Sequence, residues 1–170
     1  MRVLAAPAVA FCLAQAFPAC AFEYSFDAPP FTVRVPRLPS ITLAAPSASN
    51  GGGVLTARGQ DPTYVVEIIA TAAAAASSTR ACAGTLLREL IARPNMPGRD
   101  NIYRAPVDPN TFLVLYLMEL DGKRQLHAHL LSASGNTHCV DAHFSRTAPV
   151  GEDIDNWRTT FDGATVRSSK

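Results

Sequence analysis

The apolar run Phe112–Leu120, FLVLYLMEL, followed at once by Asp121-Gly122, constrains this chain more than any other feature. An apolar stretch of this length, rich in branched and aromatic side chains and closed at both ends by turn residues, reads as a strand inside a sheet. Asp-Gly is a favoured two-residue hairpin turn, so the next segment, Arg124–Ser132, must return antiparallel beside it. Upstream, Asp108-Pro109-Asn110 turns the chain out of another strand, Asn101–Val107. Downstream, Ser134-Gly135-Asn136 leads into a fourth, Thr137–Ser145. The second half of the chain is therefore an antiparallel meander of four strands.

The first half supplies shorter strands and a helix. Phe22–Phe26 and Phe31–Val35 alternate apolar and polar residues, and prolines at both ends of the second mark it as an edge or surface strand. Ser47–Gly53 (SASNGGG) reads as a flexible loop; no Gly-Lys-Ser/Thr follows its glycines, so it is not a phosphate cradle. Val54–Arg58 and Tyr64–Ala70 are two more strands, the second apolar on both faces as an interior strand would be. Ser77-Ser78-Thr79 offers N-cap oxygens to a helix over Ser78–Arg93, where Cys82, Leu86 and Leu90 recur every four residues with Leu87 and Ile91 alongside. Pro94 and Pro97-Gly98 end it. A short C-terminal helix near Glu152–Asp162 carries Ile154, Trp157 and Phe161 on its apolar side. Glu152, Asp153 and Asp155 sit in its first turn, where the helix dipole favours negative charge. The tail after Gly163 reads as frayed. The expected class is α+β: one antiparallel sheet, an amphipathic helix after the N-terminal strands, the meander, and a C-terminal helix packed on the sheet.

The N-terminus is expected to be a secretory signal peptide, residues 1–21. Arg2 supplies the positive start, Val3–Phe17 is uncharged, and Ala19-Cys20-Ala21 gives the A-x-A pattern, with cleavage before Phe22. The alternative is lipidation at Cys20. Val3–Phe17 is too short for a span of roughly 20 residues, so no transmembrane helix is expected. The remaining residues, 22–170, are expected to form a single domain in the periplasm or outside the cell. The full chain carries 15 basic and 14 acidic residues, and loss of Arg2 leaves 14 of each. That balance gives no electrostatic case for nucleic acid.

Once Cys12 and Cys20 are set aside with the leader, Cys82 and Cys139 remain, an even pair in an oxidising compartment. A disulfide between them is expected. The spacing is not C-x-x-C, which argues against a thioredoxin-type redox site.

Asn101–Ser145 contains all four histidines within one hairpin: His127, His129, His138 and His143. Strand parity puts His127 and His129 on one face and Leu126, Ala128 and Leu130 on the other. A three-residue turn, Ser134-Gly135-Asn136, pairs the leucine face with Val140, Ala142 and Phe144 and gives Asn136 the left-handed position that closes such loops. His127 then faces His143, and His129 faces Asp141. Three imidazoles and a carboxylate on one patch are a candidate metal site, with zinc or copper the natural ions for such donors. The bland alternative is a half-exposed polar face with His129 and Asp141 hydrogen-bonded to each other. Arg80, Arg88 and Arg93 read as the solvated side of the helix. There is no G-x-S-x-G elbow and no H-E-x-x-H, and nothing in the sequence calls for an enzyme.

The order of elements resembles the PsbP-like fold shared with bacterial DcrB-type envelope proteins. Phe31-Thr32-Val33-Arg34-Val35, the helix with Leu86, Leu87 and Leu90, the last meander strand, and Ile154-Asp155-Asn156-Trp157-Arg158-Thr159-Thr160-Phe161 carry the likeness. A cystatin-like helix wrapped by four strands is the competing fold. The resemblance implies a small exported binding or accessory domain without catalysis, its partner an unknown envelope protein or small ligand. The alternative function is metal binding through the histidine hairpin.

Overall fold

The computed structural model describes residues 21–48, 54–73, 78–94, 96–98, 101–135 and 137–168. Residues 1–20 of the expected signal peptide, the glycines of the SASNGGG segment and Asn136 lie outside these residues. Among the described residues, ten strands and two short helices follow one another in the order β1 (Phe22–Asp27), β2 (Pro30–Val35), β3 (Ser47–Ala48), β4 (Val54–Gln60), β5 (Val65–Ala72), α1 (Thr79–Ile91), β6 (Ile102–Asp108), β7 (Thr111–Leu120), β8 (Lys123–Ser134), β9 (His138–Thr147), α2 (Ile154–Arg158) and β10 (Thr165–Ser168). A turn of 3-10 helix, Thr159–Phe161, continues α2.

The sheet content dominates, and it divides into two antiparallel sheets rather than the one expected. Seven strands run in the order β3-β4-β5-β9-β8-β7-β6, and three more in the order β1-β2-β10. The meander forms as the sequence dictates: Asp121 and Gly122 both take positive φ, 51° and 70°, the geometry that a tight two-residue hairpin requires. Two expectations fail together at the small sheet. β2 is its central strand, not an edge, because the tail read as frayed returns as β10 and pairs Val166 with Val33. Phe31, Val33 and Val35 are fully buried as a result, and Val166 is nearly so. Ser47 and Ala48, expected in a loop, pair with Thr56 and Leu55 at the edge of the large sheet.

The large sheet has a core on each face. On one side Val66, Ile68, Ala70, Leu113, Leu115, Leu126, Leu130, Val140, Ala142 and Phe144 meet the small sheet and the Trp157 and Phe161 rings. Phe144 touches Phe22 and Phe161 edge to face, with centroids 5.3 and 5.6 Å apart. Arg146 pairs with Glu152 and lies 5.8 Å from the centres of both the Tyr64 and Trp157 rings, which ties α2 to the sheet. On the other side Ala83 and Leu90 of α1 pack on Val114, Tyr116 and Leu131, with Leu86, Leu87 and Ile91 around them. Full burial of one such leucine contributes roughly 1.5–3 kcal/mol. Ser78 caps α1 as expected, its hydroxyl accepting from the Ala81 N–H.

α1 covers only part of its face. Cys82 is bonded to Cys139 of β9, with Cα atoms 5.5 Å apart, and this link holds the helix across β8 and β9. β5 lies between β4 and β9 as an interior strand. It is covered completely on one face only, since Val65 on the other is half-exposed. No helix among the described residues is long and apolar enough to cross a membrane.

Candidate functional site

The face beneath and beside α1 carries every candidate residue named from the sequence, and the apolar face parity is as read. Leu126, Leu130, Val140 and Phe144 are all fully buried on the opposite side. The register differs by two residues. Ser134 pairs with His138 around a three-residue loop, so His129 stands opposite His143, His127 opposite Ser145, and Leu131 opposite Asp141. The reason is that the loop spans residues 135–137 instead of 134–136: β8 runs on to Ser134 and β9 starts one residue later, at His138, with Gly135 at a positive φ of 59°. A shift of two leaves each side chain on its own face, so burial does not oppose it.

The expected partners still meet, on the diagonal. His127 Nδ1 and His143 Nε2 lie 2.9 Å apart and share one hydrogen, carried by either ring. His129 Nδ1 donates to both oxygens of Asp141, at 2.9 and 3.2 Å. A carboxylate can only accept, so in the neutral ring the other nitrogen, Nε2, accepts the Tyr116 hydroxyl at 3.2 Å. Tyr116, His127, His143 and His129 stack face to face, with centroids from 4.3 to 5.7 Å apart and planes within 18° of parallel.

This stack is largely dry, and its titration follows from that. Burial, then the neighbouring His129, pushes His127 down from 6.5 to about 4. Burial, then His129, His127 and Arg93, hold His143 well below the ordinary imidazole value. Tyr116 is pushed up to about 12, chiefly by burial, with Arg93 opposing the rise and Asp141 adding to it. The hydroxyl thus stays a donor and His127 and His143 stay neutral at pH 7. His127 Nε2 is buried with no partner. His127 Nδ1, His143 Nε2 and both nitrogens of His129 are engaged in hydrogen bonds. Among the described residues no three His, Cys, Asp or Glu side chains converge as a metal site. His138, the fourth histidine, binds the neighbouring Thr137 hydroxyl instead, at 2.9 Å.

Asp141 connects the stack to a cavity. Between α1 and the strands β5 and β9 lies a groove of about 590 Å³. Its floor includes Ile69, Val140 and Asp141, and its wall includes Leu86, Arg80 and Arg88 of α1 with Arg93 just past the end of the helix. The disulfide residues Cys82 and Cys139 line it as well. The volume falls in the range of small-molecule sites, roughly 300–1,000 Å³. The arginines were read from sequence as a solvated face. Helical periodicity shows which side of α1 is polar, but not that a sheet strand stands opposite that side and turns it into a wall. A second, more open depression, bounded by Ile102, Leu117 and Ile154, lies between the β6 edge and α2.

No protein-family model and no curated protein matches this sequence. Among solved structures, a crystal structure from Bacteroides thetaiotaomicron VPI-5482 at 1.50 Å resolution is similar at 15% identity, with a TM-score of 0.43. The likeness covers 82% of this chain and 45% of that one, so this chain spans less than half of its length.

Proposed function

We propose that this chain is an exported, non-catalytic binding domain that seats a small ligand in the groove between α1 and strands β5 and β9. The observation that carries the reading is the groove itself: about 590 Å³ with apolar side chains on both floor and wall, and a covalent strap fixing that wall. A pocket of this kind with a few polar groups directed into it is the ordinary form of a ligand site. Export to the periplasm is supported by the signal-peptide pattern and by a disulfide that an oxidising compartment sustains. β1 opens at Phe22, the residue that the A-x-A pattern puts first after cleavage. The order of elements likened above to PsbP-like and DcrB-type domains supports the same accessory role.

The test uses Nile red, an uncharged apolar fluorophore, and the variant Gly84→Trp. A Cβ at Gly84 meets only the Arg88 guanidinium, at 3.7 Å, so the helix accepts a side chain there and the indole fills the groove. One-to-one saturable binding by the native chain, lost in Gly84→Trp at an unchanged melting temperature, is expected. Equal binding by both would remove the groove from the function.

The alternative, a metal held by His127, His129, Asp141 and His143, requires these rings to leave their present hydrogen bonds. Zinc or copper titration separates the two readings. Binding-domain behaviour predicts no rise in melting temperature; a metal site predicts one that is abolished by His127→Phe.

A further inference from the structure

We infer that the ligand of this groove is an amphipathic organic carboxylate, its anionic head held by Arg80 and Arg88 and its apolar body lying along Ile69, Leu86 and Leu131. The inference rests on the groove being the ligand site. Residues 80, 84 and 88 succeed one another at helical spacing on the side of α1 that lines the cavity. The middle one is glycine, and this matters for Arg88. Its guanidinium folds back over Gly84, with Nη1 3.7 Å from where a Cβ would stand, and Nη2 donates to the Thr85 hydroxyl at 3.0 Å. A residue eight positions from Arg80, roughly 12 Å along the axis, is thereby turned toward it.

Arg34, Arg37, Arg58, Arg146 and Arg158 each pair with a carboxylate. Six described arginines, Arg80, Arg88, Arg93, Arg104, Arg124 and Arg167, have no carboxylate partner among the described residues, and three of the six line this groove. Arg80, Arg88 and Arg93 are those three, although Glu89 and Asp141 line the same groove. Asp141 is already engaged by His129, and the charge of Arg93 acts on the same corner, since it bears on both His143 and Tyr116. The lining carries three positive and two negative groups, and the free donors lie at the α1 wall. Guanidinium is the side chain best suited to a planar carboxylate, because its N–H groups match both oxygens. Beside it Ile69 and Leu131 present apolar side chains, which offer nothing to a second charge and suit a hydrocarbon body.

The experiment compares decanoate, decanol and decylammonium by calorimetry on the full mature chain, with methyl NMR of Ile69, Leu86 and Leu131. Decanoate is expected to bind at least about tenfold more tightly than decanol, as one or two charge-assisted hydrogen bonds would dictate. Decylammonium should bind more weakly than either. The double variant R80Q/R88Q should erase the preference for decanoate while leaving decanol binding unchanged, and it should keep the native melting temperature because both side chains are exposed. Decanol equal to decanoate, with the same methyl signals moving, would overturn the carboxylate assignment and leave the groove as a site. No movement of those methyls with any of the three would overturn both.

Discussion

His129 and Asp141 are joined across β8 and β9 without standing opposite each other: the imidazole reaches diagonally past His143 to place Nδ1 2.9 Å from the carboxylate. The carboxylate borders the groove, while the imidazole is only 4% exposed and accepts Tyr116 from the core side. A polar chain thus runs from the α1 core to the cavity. Asp141→Ala leaves the buried Nδ1–H without its acceptor. The expected loss is ~1–3 kcal/mol in chemical denaturation, the cost of an unsatisfied buried donor. Tyr116→Phe removes a neutral hydrogen bond and should cost about 1 kcal/mol.

The histidine stack makes stability depend on pH in a defined direction. His127 binds its proton at about 4 when folded and at about 6.5 when unfolded, and His143 is shifted the same way. The unfolded chain therefore takes up more protons between these values, and stability falls as pH drops from about 6.5 to about 4. The contribution of His127 is on the order of 3 kcal/mol at most. His127→Phe, which keeps a ring against Tyr116, should flatten urea midpoints across this window. A variant with the native slope would mean that His127 is not held neutral.

The Cys82–Cys139 bond closes a separation of 57 residues, worth ~4 kcal/mol in the unfolded-chain entropy account. Reduction, or Cys82→Ser with Cys139→Ser, should lower the melting temperature by about 8–16 °C. Because the bond holds the wall of the groove, Nile red affinity should fall in the same variant at temperatures where it is still folded.

Face parity, the hairpin at Asp121-Gly122, the Ser78 cap and the Cys82–Cys139 pair were legible because each is a local or period-two signal. Register was not, since moving the β8–β9 ladder by two residues keeps Leu130 and Phe144 on one face of the sheet and His129 on the other. The small sheet was hidden for another reason. Strand β10 is four residues, Thr165–Ser168, too short to show alternation, and its partner β2 lies more than 100 residues earlier. Prolines at 30 and 36 are tolerated beside β2 because they stand at its first residue and just past its last. The groove was illegible because its two walls, α1 and β5, meet only in the folded chain.

The terminal strand supplies its own check. Val166 is buried between the sheets, and its N–H donates to the Thr111 hydroxyl at 2.9 Å. Val166→Asp puts a carboxylate into this apolar core, and a loss of more than ~3 kcal/mol is expected by denaturant melts. A change under 0.5 kcal/mol, usual for surface sites, would show that the tail is not part of the core.

The groove is tested most directly by methyl-resolved NMR during titration with decanoate. The account predicts saturable shifts confined to Ile69, Leu86 and Leu131, with the signals of Ile102, Leu117 and Ile154 beside the second depression unmoved. Shifts at those latter three alone, with Ile69 and Leu86 silent, would contradict it.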